Sequence, residues 1–167
     1  MSKLDITLVG FSNVNGLVSV DGKFVKFKKV KSGTYAGSVN VKNDNAELIL
    51  YRSHHYAGKA WFFWNLLYFF ISLFGIFDIR QDKRCLVQDV RLNVNTVNDS
   101  GVALIRKKII GQGRLVDIQT NTTVDELSNL QFYDAQAIKR RFKMRLFKAL
   151  FIVFAVLITA FIVVVFA

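Results

Sequence analysis

The stretch ALFIVFAVLITAFIVVVFA, residues 149–167, runs for nineteen residues without a charge or a proline. This limits what the chain can be more than any other feature. Extended back to Leu146, a helix here is roughly 30 Å long, the thickness of a bilayer's hydrocarbon core. Apolar residues cover every face of such a helix, which a surface helix of a soluble core would not show. The run is therefore expected to be a C-terminal transmembrane helix. Immediately before it stand Lys139, Arg140, Arg141, Lys143, Arg145 and Lys148. The positive-inside rule predicts these six on the cytoplasmic side, beside anionic headgroups, with the C-terminus on the opposite side.

A second run, AWFFWNLLYFFISLFGIF at 60–77, has eighteen uncharged residues and nine aromatic rings. It is also long enough to span. Read as a helix, Trp61, Asn65, Tyr68, Ser72 and Gly75 recur at spacings of four and three and share one face. Asn65, Tyr68, Ser72 and Gly75 are expected to form a seam for helix packing, since small residues permit close approach. Trp61, Trp64, Phe69, Phe70, Phe74 and Phe77 are the expected membrane-interface contacts.

Charge decides how this run should sit. Lys and Arg number nine in residues 1–59, eight in 80–138 and six in 139–148. A single crossing at 60–77 would put basic segments on both sides and reverse the C-terminal anchor. The expectation is that the run lies in the interface or enters and returns on one side. A true crossing, or a helix sheltered in its own domain or a partner, stays open.

The remaining sequence reads as short strands. LDITLVG, GLVSV, KFVKF, TYAGSVNV and AELILYR precede the aromatic run; RCLVQDVRLNV, GVALIRKKII and GRLVDIQT follow it. Asp21-Gly22 between two apolar runs predicts a tight hairpin; NVNG (13–16), KNDN (42–45), NDSG and GQG read as further turns. About eight strands predict an antiparallel sandwich or small barrel built from 1–59 and 80–122. The fold expected is mainly β, with the aromatic segment 60–79 as a membrane-associated helical insertion. From Thr123 the pattern turns helical, Thr123 with Glu126 matching a capping box. A basic stalk helix over 123–148 is expected to run without a break into the transmembrane helix.

Candidate chemistry is sparse. One cysteine, Cys85, rules out an internal disulfide and fits a reducing compartment. Adjacent His54 and His55 would point to opposite faces of a strand and cannot easily hold one metal. No paired carboxylates, nucleophile with base, or phosphate loop stands out, so no catalytic, cofactor-binding or metal residue is assigned. The lysine-rich KFVKFKKVK (23–31) reads as a protected edge strand, with Lys26 and Lys28 on one face; an anionic-lipid or nucleic-acid face is the alternative.

A net charge of +11 with 52% hydrophobic residues favours anionic membrane surfaces over nucleic acid. The expected function is a non-enzymatic, membrane-anchored accessory or scaffold subunit. Its partner would be an integral-membrane protein or a second copy of itself. A lipid-binding or membrane-remodelling protein and a toxin-immunity-type membrane protein are the rivals.

Overall fold

A computed structural model of the chain describes residues 2–53, 56, 58–73, 85–109 and 111–166, with Ser72 and Leu73 described by backbone alone. His54, His55, Phe74, Gly75 and Phe77 lie outside these residues. The described residues form eleven strands and two helices: β1 (Ser2–Val9), β2 (Val18–Val20), β3 (Lys23–Phe24), β4 (Lys28–Lys31), β5 (Thr34–Val41), β6 (Asn45–Arg52), α1 (Trp61–Leu73), β7 (Leu86–Asn95), β8 (Ser100–Arg106), β9 (Gly113–Arg114), β10 (Val116–Thr120), β11 (Val124–Tyr133) and α2 (Ala135–Phe166). The chain divides into two compact units, one of Met1–Ser53 with Leu86–Tyr133, the other of His54–Cys85 with Asp134–Ala167.

The first unit is a β-sandwich. One sheet has the order β10-β8-β1-β5-β4, the other β3-β2-β6-β7-β11-β9. Alternate residues of each strand turn inward. Leu4, Ile6 and Leu8 of β1, Leu48 and Leu50 of β6, and Val90 and Leu92 of β7 are fully buried in one shared core. Burying each such side chain contributes about 1.5–3 kcal/mol. The Asp21-Gly22 hairpin forms as expected, with φ of 47° and 77°, the left-handed pair that a type I′ turn requires.

Three expectations need correction. The sandwich is not wholly antiparallel: β1 and β8 run parallel, from Leu4 opposite Ser100 to Val9 opposite Ile105. The cause is that the KNDN and NDSG turns carry the chain from one sheet to the other rather than closing hairpins within a sheet. The lysine-rich stretch 23–31 is not one strand. β3 edges one sheet and β4 edges the other, and between them Lys26 passes over β5. A Cβ on Gly37 would stand 2.8 Å from the Lys26 carbonyl oxygen, so only glycine admits this crossing.

The third correction concerns 123–148, where the stalk helix was expected. Residues 124–133 form β11, paired with β7 on both sides of a bulge at Leu127. The strand pattern is disguised because its inward face is polar. Asn129 and Gln131 are buried, while Leu130 and Phe132 point outward. Asn129 meets the adjoining chain much as a backbone would: its Oδ1 accepts from the Val116 amide at 2.9 Å and its Nδ2 donates to the Val116 carbonyl at 2.9 Å. The helix is capped by Asp134, not Thr123. The Asp134 Oδ1 accepts from the amides of Gln136 (2.9 Å) and Ala137 (3.1 Å), satisfying two of the four free donors at a helix start.

Arg52 pairs with Gln88 and Tyr133 with Leu86. The end of β6, the start of β7 and the end of β11 therefore lie together. All three passages between the sandwich and the second unit leave from this one end.

Candidate membrane interface

The described residues of the second unit include two helices that meet in a small buried cluster of Tyr56, Cys85, Ala137 and Met144, with Trp61, Leu66 and Phe147 packed against it. Ala137 and Met144 fall seven residues apart on α2, two turns along one face. Cys85 closes the unit through its carbonyl, which accepts from the Asp134 amide at 3.0 Å. Tyr56 precedes the aromatic run and Cys85 follows it, so the chain enters and leaves that run at the base of α2.

With 32 residues, α2 is about 48 Å long. Its first part carries the six cations and its last eighteen residues, Ala149–Phe166, carry no charge. Beyond Phe151 the apolar part is exposed among the described residues, and its best eighteen-residue window has a mean hydropathy of 3.2. Among the described residues this is one helix long and apolar enough to cross a membrane, compatible with an anchor. Its lack of cover is what separates it from the core helix of a soluble fold.

α1 has 13 residues, about 20 Å. Ring contacts fix its direction. The Trp61 ring lies under the Arg140 guanidinium at 5.6 Å. Phe62 meets Phe147 edge-on at 5.6 Å. Phe69 and Phe70 both meet Phe151, at 5.6 and 5.7 Å. The helices thus run side by side in the same direction. α1 starts beside the basic part of α2, and by Phe70 it has reached only the third residue of the uncharged part.

Of the expected interface residues, Trp64 and Phe70 are exposed, Trp61 is half-buried and Phe69 is buried. Phe62, Phe63 and Leu67 are also exposed. Of the expected packing seam, Asn65 is fully buried and its Nδ2 donates to the Trp61 carbonyl at 2.7 Å; Tyr68 is half-buried beside Trp64. The Asn65 end of the seam is enclosed within the unit.

The six cations separate into two sets. Lys139, Lys143 and Arg145 are exposed; Arg140, Arg141 and Lys148 are half-buried. Arg140 clasps the entry to α1: its Nη1 donates to the Tyr56 carbonyl at 2.7 Å and, more weakly, to that of Gly58 at 3.4 Å. Lys148 lies over the Phe69 ring at 5.1 Å. Burial raises the Tyr56 phenol above its ordinary pKa, partly opposed by the nearby charge of Arg141. Sequence reading placed all six together beside anionic headgroups. The i, i+4 step from Arg140 to the buried Met144 was the available signal that Arg140 faces inward.

Elsewhere the chemistry is quiet. Among the described residues no three of His, Cys, Asp or Glu gather as a metal site would require. The thiol of Cys85 is buried. Gly113 and Arg114 of the GQGR stretch form strand β9. Comparison with known protein families, curated proteins and solved structures finds no match to this chain.

Proposed function

We propose that this chain is a non-enzymatic accessory or scaffold subunit that presents a β-sandwich at the cytoplasmic face of a membrane. One observation supports the reading above the others. Tyr56 and Cys85, on either side of the aromatic run, share a buried cluster at the base of a helix whose last eighteen residues are uncharged and, beyond Phe151, exposed. If α2 spans from Ala149, its basic part stands at headgroup depth. The exposed rings of α1 then lie at that depth too, where aromatic side chains partition well. The run would dip and return instead of crossing. Two attachments restrain the sandwich more than one helix could, and a restrained orientation suits docking to a fixed partner.

The lipid-remodelling reading draws support from the exposed face of α1, where Phe62, Phe63, Trp64 and Phe70 form an aromatic surface. Photo-crosslinking separates the two. A photoreactive phenylalanine at Phe63 or Leu67 is activated in native membranes containing the full chain. A discrete protein adduct, with vesicles of the purified chain keeping their shape, is expected for a scaffold. Adducts to lipid alone, together with vesicle tubulation or leakage, would refute the scaffold role and support remodelling.

A further inference from the structure

Strand register shows that charge in the sandwich is segregated along its long axis. At the end through which the chain leaves lie Lys28, Lys29 and Lys31 of β4, Arg52 closing β6, Arg106 closing β8, and Lys108. None of these six has a carboxylate within ion-pair distance among the described residues. The two carboxylates at this end are already engaged, Asp117 with Lys107 at 2.8 Å and Asp89 with Arg91 at 3.1 Å. At the opposite end Asp21, Asp44, Glu47, Asp99 and Asp125 stand against Lys3, Lys23 and Lys42.

The Nη2 of Arg52 donates to the carbonyls of Ser12 and Asn13, both at 2.7 Å, which fixes the guanidinium in place. Burial first, and then the like charge of Arg106, holds Arg52 below the usual arginine range. An approaching anion would relieve that repulsion. Edge protection accounts for lysines on the outer strand β4 but not for Arg52, Arg106 and Lys108 gathered at the same end, so the arrangement points to a partner.

We propose that this end of the sandwich is a docking surface for anionic phospholipid headgroups, with the acidic end held away from the bilayer. The inference rests on the reading of α2 as a membrane anchor. It names the bilayer itself as the sandwich's own ligand, independent of the cations on α2. Charge complementarity selects the ligand, and the position of all three chain passages at this end supplies the proximity. Tethering makes the second contact intramolecular, so weak attractions suffice. Distance makes the contact one-sided. The eight residues of β6 set the two ends roughly 26 Å apart, more than two Debye lengths at about 0.1 M salt. The acidic end would feel little repulsion from the surface.

The test uses the full chain in nanodiscs. A bioorthogonal fluorophore is placed at Ser32, in the β4–β5 turn, or at Asn43, in the β5–β6 turn, with an energy acceptor on the lipid headgroups. The discs are phosphatidylcholine alone or with about a third phosphatidylserine. A short tether by itself brings Ser32 closer, so the readout is how the Ser32-to-Asn43 difference depends on charge. The expected result is a difference that widens with phosphatidylserine and returns to its phosphatidylcholine value at about 1 M salt, where the Debye length is about 3 Å. Lys28→Glu with Lys29→Glu and Lys31→Glu should abolish the widening, with an unchanged far-UV spectrum; Lys42→Glu should leave it intact. A difference indifferent to phosphatidylserine, in chains that resist alkaline extraction, overturns the inference and leaves the anchor standing. A short oligonucleotide that closes the difference overturns it in favour of nucleic acid. Extraction of the chain from the discs by alkali overturns the anchor reading and the inference with it.

Discussion

Arg140 joins α2 to the start of α1, and its loss should open the second unit measurably. The hydrogen bond to the Tyr56 carbonyl at 2.7 Å is charge-assisted, worth about 1.5–3 kcal/mol. The contact over Trp61 at 5.6 Å adds about 0.5–1 kcal/mol. Arg140→Ala should therefore destabilise closure by about 2–4 kcal/mol, which multiplies the open fraction roughly 30- to 900-fold at 1.36 kcal/mol per decade. The chain carries its own reporter. Cys85 is fully buried in the cluster that this clasp closes, and it is the chain's one cysteine. Its rate of labelling by a small maleimide, in detergent micelles or nanodiscs, follows the open population when closing outpaces labelling. Arg140→Ala should accelerate labelling by at least about tenfold, and Arg140→Lys by less, because lysine keeps the charge but not the planar fork. Lys139→Ala and Lys143→Ala, at exposed positions, should stay within about twofold, as surface substitutions do. If Arg140→Ala labels no faster than those controls, the clasp does not hold α1, and the ring contacts alone must.

Other expectations are as direct. Asn129→Ala should destabilise the sandwich by about 1–3 kcal/mol, because the Val116 amide and carbonyl lose their side-chain partner while the Leu115 amide keeps the Asn129 carbonyl, read as a lower denaturant midpoint by far-UV circular dichroism. Both tryptophans belong to the second unit, so their fluorescence should keep its midpoint; a shared shift would refute separate stabilities. Gly37→Ala should cost about 1–3 kcal/mol, because its Cβ would meet the Lys26 carbonyl at 2.8 Å, and an unchanged midpoint would refute the close crossing. The raised pKa of Tyr56 favours the neutral phenol in the fold. Its contribution is complete below the free-tyrosine value of about 10 and is lost as pH rises through the raised value. The fluorescence of Trp61, whose ring centre is 6.5 Å from that of Tyr56, should report loosening there. Tyr56→Phe should remove that step, and a step that persists in the variant would refute its assignment to Tyr56.

The apolar segments and the β character were legible because both rest on local pattern. An uncharged run of eighteen residues and a Val/Ile/Leu alternation announce themselves without knowledge of partners. What failed was whatever depended on the far side of a contact. In β11 the polar residues point inward and Leu130 and Phe132 outward, so alternation alone suggested the wrong period and Thr123 a false cap. Asp134, which does cap, was visible as an aspartate before AQAIKRRF but competed with an apparently better match upstream. The parallel β1–β8 pair was illegible for another reason. A turn sequence does not say whether the next strand joins the same sheet. Arg140 was counted with its neighbours because composition records a charge and not its direction.

The pairing of β6 with β7 has one more consequence. It continues to Arg52 opposite Gln88, so the chain stands at ordinary inter-strand spacing, about 5 Å, on both sides of the intervening stretch. In topological terms the 33 residues between Arg52 and Leu86 are one oversized hairpin loop. A short turn could replace them without moving a strand, and loop-closure entropy would favour the shorter version by roughly 2 kcal/mol. The aromatic hairpin is thus a graft on a scaffold that owns its core. It could be acquired, lost or exchanged between sandwiches of this kind while the sheets keep their shape.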